Sequence, residues 1–389
     1  TILLAGMNAV GPATAGLLLS SIPDIGRAFN AKIDTVMLAL TLYLLGFAIG
    51  QTFYGPLSDA VGRKPMLKIG IVLYILASIA CAFAPNIETL IAARCVQGLG
   101  AAGPIIIARA MVRDMYSGAA AARELGLMNG IVGVATISAP AIGAVLQVQF
   151  GWRASFFAMI CFGLCLTLSA WLLLPETAKD VKGRKSYSFG AIIASYGTVL
   201  KNASYRKSMT ILVSAYLGVF AFTSSSPYIM QTLLGLSPLQ YGMTQITTSI
   251  GYMAGNLVGA RFSHRITQRS MIRIGSGIMV VAISTQAIVY SFMPHSAFAL
   301  IAFQAIMLFG NGLLVPQIIA AAVTPFPDRA GAATSLLGFT QMAVAAIIGT
   351  FLANMLGQTA WPVIVTGLVT VSIIVAKIYV WPGDKPDVK

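Results

Sequence analysis

The sequence predicts an all-α membrane protein of twelve transmembrane helices in two six-helix halves. Three observations carry this: twelve apolar stretches of spanning length, basic residues confined to alternate connections, and positions in the first six stretches that recur in the last six. A helix crosses a hydrocarbon core of about 30 Å with about 20 predominantly apolar residues. The stretches near 2–22, 35–54, 66–84, 89–112, 125–148, 154–174, 208–230, 238–260, 272–292, 297–322, 330–356 and 361–381 all qualify. A composition 57% hydrophobic and 9% charged belongs to a chain solvated mostly by lipid, so the bilayer is its first partner.

Charge orients the spans. Arg63, Lys64 and Lys68 follow the second span, Arg113 and Arg123 the fourth, and Lys179, Lys182, Arg184, Lys185, Lys201, Arg206 and Lys207 the sixth. Arg261, Arg265, Arg269 and Arg273 follow the eighth, Arg329 the tenth, and Lys377, Lys385 and Lys389 close the chain. The opposite connections carry only Arg27, Lys32 and Arg153, while Arg94 and Arg109 lie within the fourth span. Cytoplasmic connections hold the Lys and Arg excess in membrane proteins, so both termini are expected in the cytoplasm. The net charge of +14 therefore reflects topology and not the basic stripe a nucleic acid requires, and no nucleic-acid partner is expected.

The longest polar connection separates six spans from six. It sets the expected organisation: an N-terminal six-helix bundle at 1–174, a cytoplasmic linker at 175–207 with a short amphipathic helix around 188–201, and a C-terminal six-helix bundle at 208–389. Gly98 and Pro104 recur as Gly310 and Pro316, and Leu125-Gly126 as Leu337-Gly338, all 212 residues on. MLKIG at 66–70 is matched by MIRIG at 271–275, and Trp152 by Trp361. Two parallel repeats that rock about a central cavity are a transporter arrangement. Cys81, Cys95, Cys161 and Cys165 all fall within spans, and no His lies in a span to complete a metal set; apolar packing is their expected role, with no metal and no cofactor.

The connection after the second span reads GPLSDAVGRKP, residues 55–65. Gly55 would permit a close helix contact and Gly62 a tight turn. Asp59 can form a charge-assisted latch with Arg63, beside Lys64, and Asp114 at the end of the fourth span is a third member. Arg94 stands six residues beyond Glu88, about 9 Å along the helix axis. Ionisable groups within spans are functional by default. Tyr43 and Gln97, on spans two and four of the same half, are the best candidates to work with Arg94, and polar residues such as Gln51, Tyr216, Gln245, Asn256 and Asn311 can line a cavity or bridge helices. Arg109 lies near enough to the cytoplasmic end for its long stem to snorkel.

GPLSDAVGRKP resembles the signature loop of the major facilitator superfamily, G-x-x-x-D-x-x-G-R-[RK]-x, with every defining position filled by Gly55, Asp59, Gly62, Arg63 and Lys64. Arg94, Gln97 and Gly98 match that family's R-x-x-Q-G motif, whose Arg is implicated in proton coupling or substrate handling. GIVGVATISAPAIGA at 130–144 looks like the antiporter motif of its exporters, with Pro140 and Gly143 kept and Ala139 and Ala144 in place of two glycines. Together with TLYLLGFAIGQTFYGPLSDAVGRKP, ARAMVRD and GWRASFF…LPET, these strings are similar to the bicyclomycin- and chloramphenicol-resistance branch of drug:proton antiporters. The resemblance implies a major facilitator fold and a monomer in a bacterial inner membrane. It further implies export of small organic molecules by alternating access, with protons as coupling ion.

One position departs from that branch. Where it usually carries an Asp in the first span, TAGLLLSSIP at 14–23 puts Gly16, and all eleven acids fall in connections or at span ends. Arg94 would then favour a neutral, zwitterionic or anionic substrate, and a dedicated metabolite or metallophore exporter not coupled to protons through the first helix is the runner-up. Gly16 lies about 10 Å from the outer end of its span, level with Arg94, so Gly16→Asp is expected to create an ion pair with it. A membrane enzyme would need converging acids, His or a metal cluster within the spans, and none is present. A receptor or structural protein leaves the complete gating loop and the two repeated halves unexplained.

Overall fold

The computed structural model describes residues 2–116, 118–177, 189–262, 265–326, 329–355, 357 and 359–379. The basic run at Lys179, Lys182, Arg184 and Lys185, together with His264, Lys385 and Lys389, lies outside the described residues.

Those residues form helices and no strand. The first span is α1 (Ile2–Leu19), followed by a short α2 (Ile22–Phe29). Spans two to six are α3 (Ile33–Val61), α4 (Arg63–Ala82), α5 (Ile87–Met115), α6 (Gly118–Phe150) and α7 (Arg153–Leu173). The linker contributes α8 (Phe189–Lys201). Span seven is α9 (Ala203–Pro227), which continues through a π-helical turn at Tyr228–Leu233. The rest are α10 (Pro238–Phe262), α11 (Gln268–Phe292), α12 (Ala297–Val323), α13 (Ala330–Met355) and α14 (Trp361–Tyr379). Backbone polar groups have no water partner inside a bilayer, and helices satisfy them within the segment.

Eleven helices among the described residues are long and apolar enough to cross a membrane. The remaining expected span, α10, has the length, at 25 residues, but carries Gln240, Thr244, Gln245, Thr247, Thr248, Ser249 and Asn256, which lower its hydropathy. Several of these face protein: Gln245 is buried and donates to the Ser226 hydroxyl at 3.0 Å.

Contacts divide the chain into two units, residues 1–187 with 226–246 and 349–354, and residues 188–225 with 247–348 and 355–389. In lipid there is no hydrophobic drive between helices, so close backbone approach supplies the packing. Within the first unit, α3 presses on α5 through Gly46 and Gly50: a Cβ on Gly46 would overlap the Cys95 carbonyl, and one on Gly50 would sit 2.6 Å from the Ala102 Cβ. On its other side α5 meets α4, where a Cβ on Gly100 would come 2.5 Å from the Tyr74 amide. Within the second unit, Gly251 and Gly255 of α10 press on the Ala305 and Phe309 carbonyls of α12, and Gly275 of α11 faces the Gly310 carbonyl at 2.7 Å from its would-be Cβ. The cysteines divide by face, with Cys81 buried but Cys161 and Cys165 on the exposed side of α7. Apolar packing within the protein therefore describes Cys81 and not that pair.

Candidate functional site

At one end of α3, α4 and α5 sits a charged cluster. Residues 55–61 of the signature motif are helical, not loop, and the turn is Gly62 alone, at φ +115°, closing α3 through its N–H to the Ser58 carbonyl and opening α4. Only glycine adopts that φ without strain. The turn swings Arg63 back over the end of α3. Its side chain, 8% exposed, meets Asp59 Oδ1 at 2.6 Å through Nη2, Asp114 Oδ2 at 2.8 Å through Nε, and the Ser58 hydroxyl at 2.7 Å through Nη1. Asp59, Arg63 and Asp114 thus converge from three helices.

Glu176, which the motif does not include, completes the cluster. Its Oε1 accepts from the Arg63 amide at 2.9 Å and its Oε2 from the Lys64 amide at 3.0 Å. The first amides of a helix have no intrahelical acceptor and carry its positive dipole end, so a carboxylate is their natural partner. The Lys64 ammonium donates to the Leu174 carbonyl at 2.6 Å, tying α4 to the end of α7. The available sequence signal for Glu176 is an acid directly after the sixth span, on the side where the basic latch lies. Gly55 makes no close helix contact: its nearest neighbour is the Ile106 Cγ2, 3.9 Å from a would-be Cβ, and the backbone approach expected of it occurs at Gly46 and Gly50.

A second, uncharged network surrounds Arg94, which is completely buried. Its Nη1 donates to the Gln97 side-chain carbonyl and its Nε to the Ala39 carbonyl at 3.4 Å, and the guanidinium lies 4.2 Å over the Tyr43 ring. Gln97 passes the network on to the Ser78 hydroxyl at 2.6 Å, and Ser78 donates to the Tyr74 carbonyl at 2.7 Å. The Tyr74 hydroxyl meets Thr14 on α1 at 2.7 Å, and Tyr43 returns to α1 through the Gly11 carbonyl at 3.1 Å. Four helices are therefore linked around one cation, and Nη2 of Arg94 has no acceptor among the described residues. The guanidinium is enclosed by protein, not extended toward head groups.

Gly16 lies elsewhere. A Cβ there would stand 2.8 Å from the Ala139 Cβ and 3.2 Å from Pro140 Cδ, so the position faces the antiporter-like motif of α6. Gly143 completes that seam, its would-be Cβ overlapping the Leu17 carbonyl. An acid at 16 would start toward α6 and not toward Arg94, which corrects the ion pair expected from depth alone. Equal depth does not fix azimuth: a helix advances about 100° per residue. Arg109 likewise does not snorkel to a helix end; its Nε donates to Asn8 Oδ1 on α1 at 2.9 Å. Asn311 bridges helices, donating to the Ala215 carbonyl at 3.1 Å.

The family model for the Major Facilitator Superfamily matches residues 4–227 and 208–389. A Bacillus subtilis protein described as the MFS-type transporter YdgK is 32% identical over 89% of this chain and 86% of its own length. The Escherichia coli multidrug resistance protein D is 28% identical over 92% and 89%, and a Haemophilus influenzae bicyclomycin resistance protein homolog 25% over 92% and 90%. Among solved structures, the xylose transporter XylE of Escherichia coli superposes with a TM-score of 0.75 over 96% of this chain and 95% of that one, at 10% identity, which shows the fold. A multi-pass helical membrane protein with this charged cluster, this fold and these bacterial relatives belongs to the major facilitator superfamily.

Proposed function

We propose that the chain exports small organic molecules across a bacterial inner membrane by alternating access, as a monomer with both termini cytoplasmic. The halves lie at 1–174 and 208–389 and the linker at 175–207. The observation that carries this reading is the Asp59–Arg63–Asp114 cluster, which ties the ends of three helices by charge-assisted bonds while Glu176 holds the first turn of α4. Such a network between rigid elements holds one conformer and is given up in another, which is the requirement of a gate. The relatives named for multidrug and bicyclomycin resistance support a drug-like cargo.

Arg94, Tyr43 and Gln97 are assigned to substrate handling or coupling. A buried cation with neutral partners and one unused donor favours neutral or anionic cargo over cationic. Among the described residues no Asp or Glu occupies the interior of a span, so proton coupling, where present, does not run through α1. The test is efflux from cells preloaded with radiolabelled chloramphenicol, an uncharged probe. Cells expressing the chain should empty faster than cells carrying an empty vector. Equal rates for a correctly inserted protein would refute drug export.

A further inference from the structure

The fourth span carries a second cation, and its surroundings are built differently from those of Arg94. Arg109 is flanked on α5 by Ala108 and Ala110, both buried, and its own side chain is partly accessible. The ion pairs Arg27–Asp24, Arg63–Asp59 and Arg63–Asp114 do not include Arg109. Its hydrogen-bond partner is Asn8, a residue 1% exposed, whose Oδ1 accepts from Arg109 Nε at 2.9 Å. The Nδ2 of that amide is buried and has no acceptor among the described residues. Flipping the amide offers no relief, since it would set a donor against a donor. Helix α1 contains no acid, and Arg113, one turn beyond Arg109, adds positive charge and not negative.

The arrangement is one of donors without acceptors: the remaining guanidinium N–H groups, the free half of a buried carboxamide, and a net positive field. Burying an unsatisfied amide is unfavourable unless an acceptor arrives, and the partly accessible guanidinium beside it offers the charge to hold one. A bidentate oxyanion meets all of these demands at once. We propose that Arg109 and Asn8 form an anion-binding site between α5 and α1, about 7 Å along the axis from the Asp114 latch, that takes a carboxylate or phosphate. This group comes from an anionic cargo or from an acidic lipid head group. The site is separate from the Arg94 network, fifteen residues away on the same helix, and its role in cargo selection rests on the exporter activity proposed above.

The full-length protein in phosphatidylcholine nanodiscs is titrated with dansylglycine and with its methyl ester, which differ by one negative charge. The wild type should bind the carboxylate about tenfold more tightly than the ester, the scale of one charge-assisted hydrogen bond. Asn8→Asp supplies the guanidinium with an internal carboxylate, and Arg109→Gln removes the charge, so each should bring the ratio close to one. Arg109→Lys should retain part of the preference. Thermal melting identifies a misfolded variant, and the Asp and Gln variants each lower the site's charge by one from different helices, so one folded variant suffices. Nanodiscs containing phosphatidylglycerol separate the sources: competition with dansylglycine identifies a lipid head group as occupant, and its absence identifies a soluble anion. A wild type that binds both probes alike, or a preference that survives in a folded variant lacking the free cation, overturns the site. Chloramphenicol efflux by the wild type tests the exporter reading separately, because that cargo has no charge for the site to hold.

Discussion

Arg94 shows how much one residue's surroundings decide. Its presence in an apolar span marks it in the sequence, and so does the family motif. Two of its partners, Tyr43 and Gln97, are legible there as polar residues on spans two and four, whereas Ala39, which contributes a backbone carbonyl, and Ser78, which enters only through Gln97, are not. A buried cation without a carboxylate is a poor source of stability, since no opposite charge offsets its loss of hydration. Arg94→Met should therefore melt at or above the wild-type temperature while losing at least tenfold in transport, and Lys should rescue only in part, since an ammonium cannot reproduce the fork. A Met variant that transports normally would reduce Arg94 to packing. Gly16 teaches the opposite lesson, because the sequence supplied its depth but not its direction. With Ala139 2.8 Å from a would-be Cβ, Gly16→Asp should lower stability by about 1–3 kcal/mol through overpacking. Its transport should gain no new pH dependence through Arg94. A mutant of wild-type stability with a new titration would restore the ion-pair picture.

At the level of elements, the spans were readable because bilayer thickness imposes a length and apolarity that composition alone reveals. Helix ends were less so. The gating motif reads as a loop from its Gly, Pro and charged residues, yet all but Gly62 of its first eight positions continue α3. Pro56 is absorbed within the helix, and one glycine at positive φ suffices to turn the chain. The sequence suggests an internal repeat at an offset of 212, pairing Gly98 with Gly310, but equivalent packing contacts within each half fall at other offsets. Gly46, Gly50 and Gly70 correspond to Gly251, Gly255 and Gly275, each 205 positions on, while Gly100 corresponds to Gly310. The two halves share glycine packing notches at positions that the 212 offset does not align. Two predictions belong here. Glu176→Ala strips the acceptors from the first turn of α4 and should cost about 0.5–2 kcal/mol, measured as a lowered midpoint in thermal melting. Gly143→Ala drives a methyl group into the Leu17 carbonyl, which cannot rotate away as a side chain would, and should destabilise by about 1–3 kcal/mol. Unchanged melting in either case would contradict the corresponding contact.

For the whole molecule, the proposed latch is where local chemistry would act on transport. Asp59 and Asp114 share one guanidinium, and both are partly exposed, so each pair is worth about 1 kcal/mol or less. Asp59→Asn leaves Asp114 and Ser58 in place and should slow transport about two- to fivefold with little change in stability. Arg63→Gln removes the shared centre and leaves two carboxylates facing each other, so its effect should be larger, about tenfold or more. The comparison is made in everted membrane vesicles, by the initial rate of radiolabelled chloramphenicol accumulation in wild type, Asp59→Asn and Arg63→Gln, with and without an imposed proton gradient. A latch-gated exporter predicts uptake above empty vesicles in the order wild type, Asp59→Asn, Arg63→Gln, at equal amounts of inserted protein. Uptake no greater than in empty vesicles, or three equal rates, would contradict it.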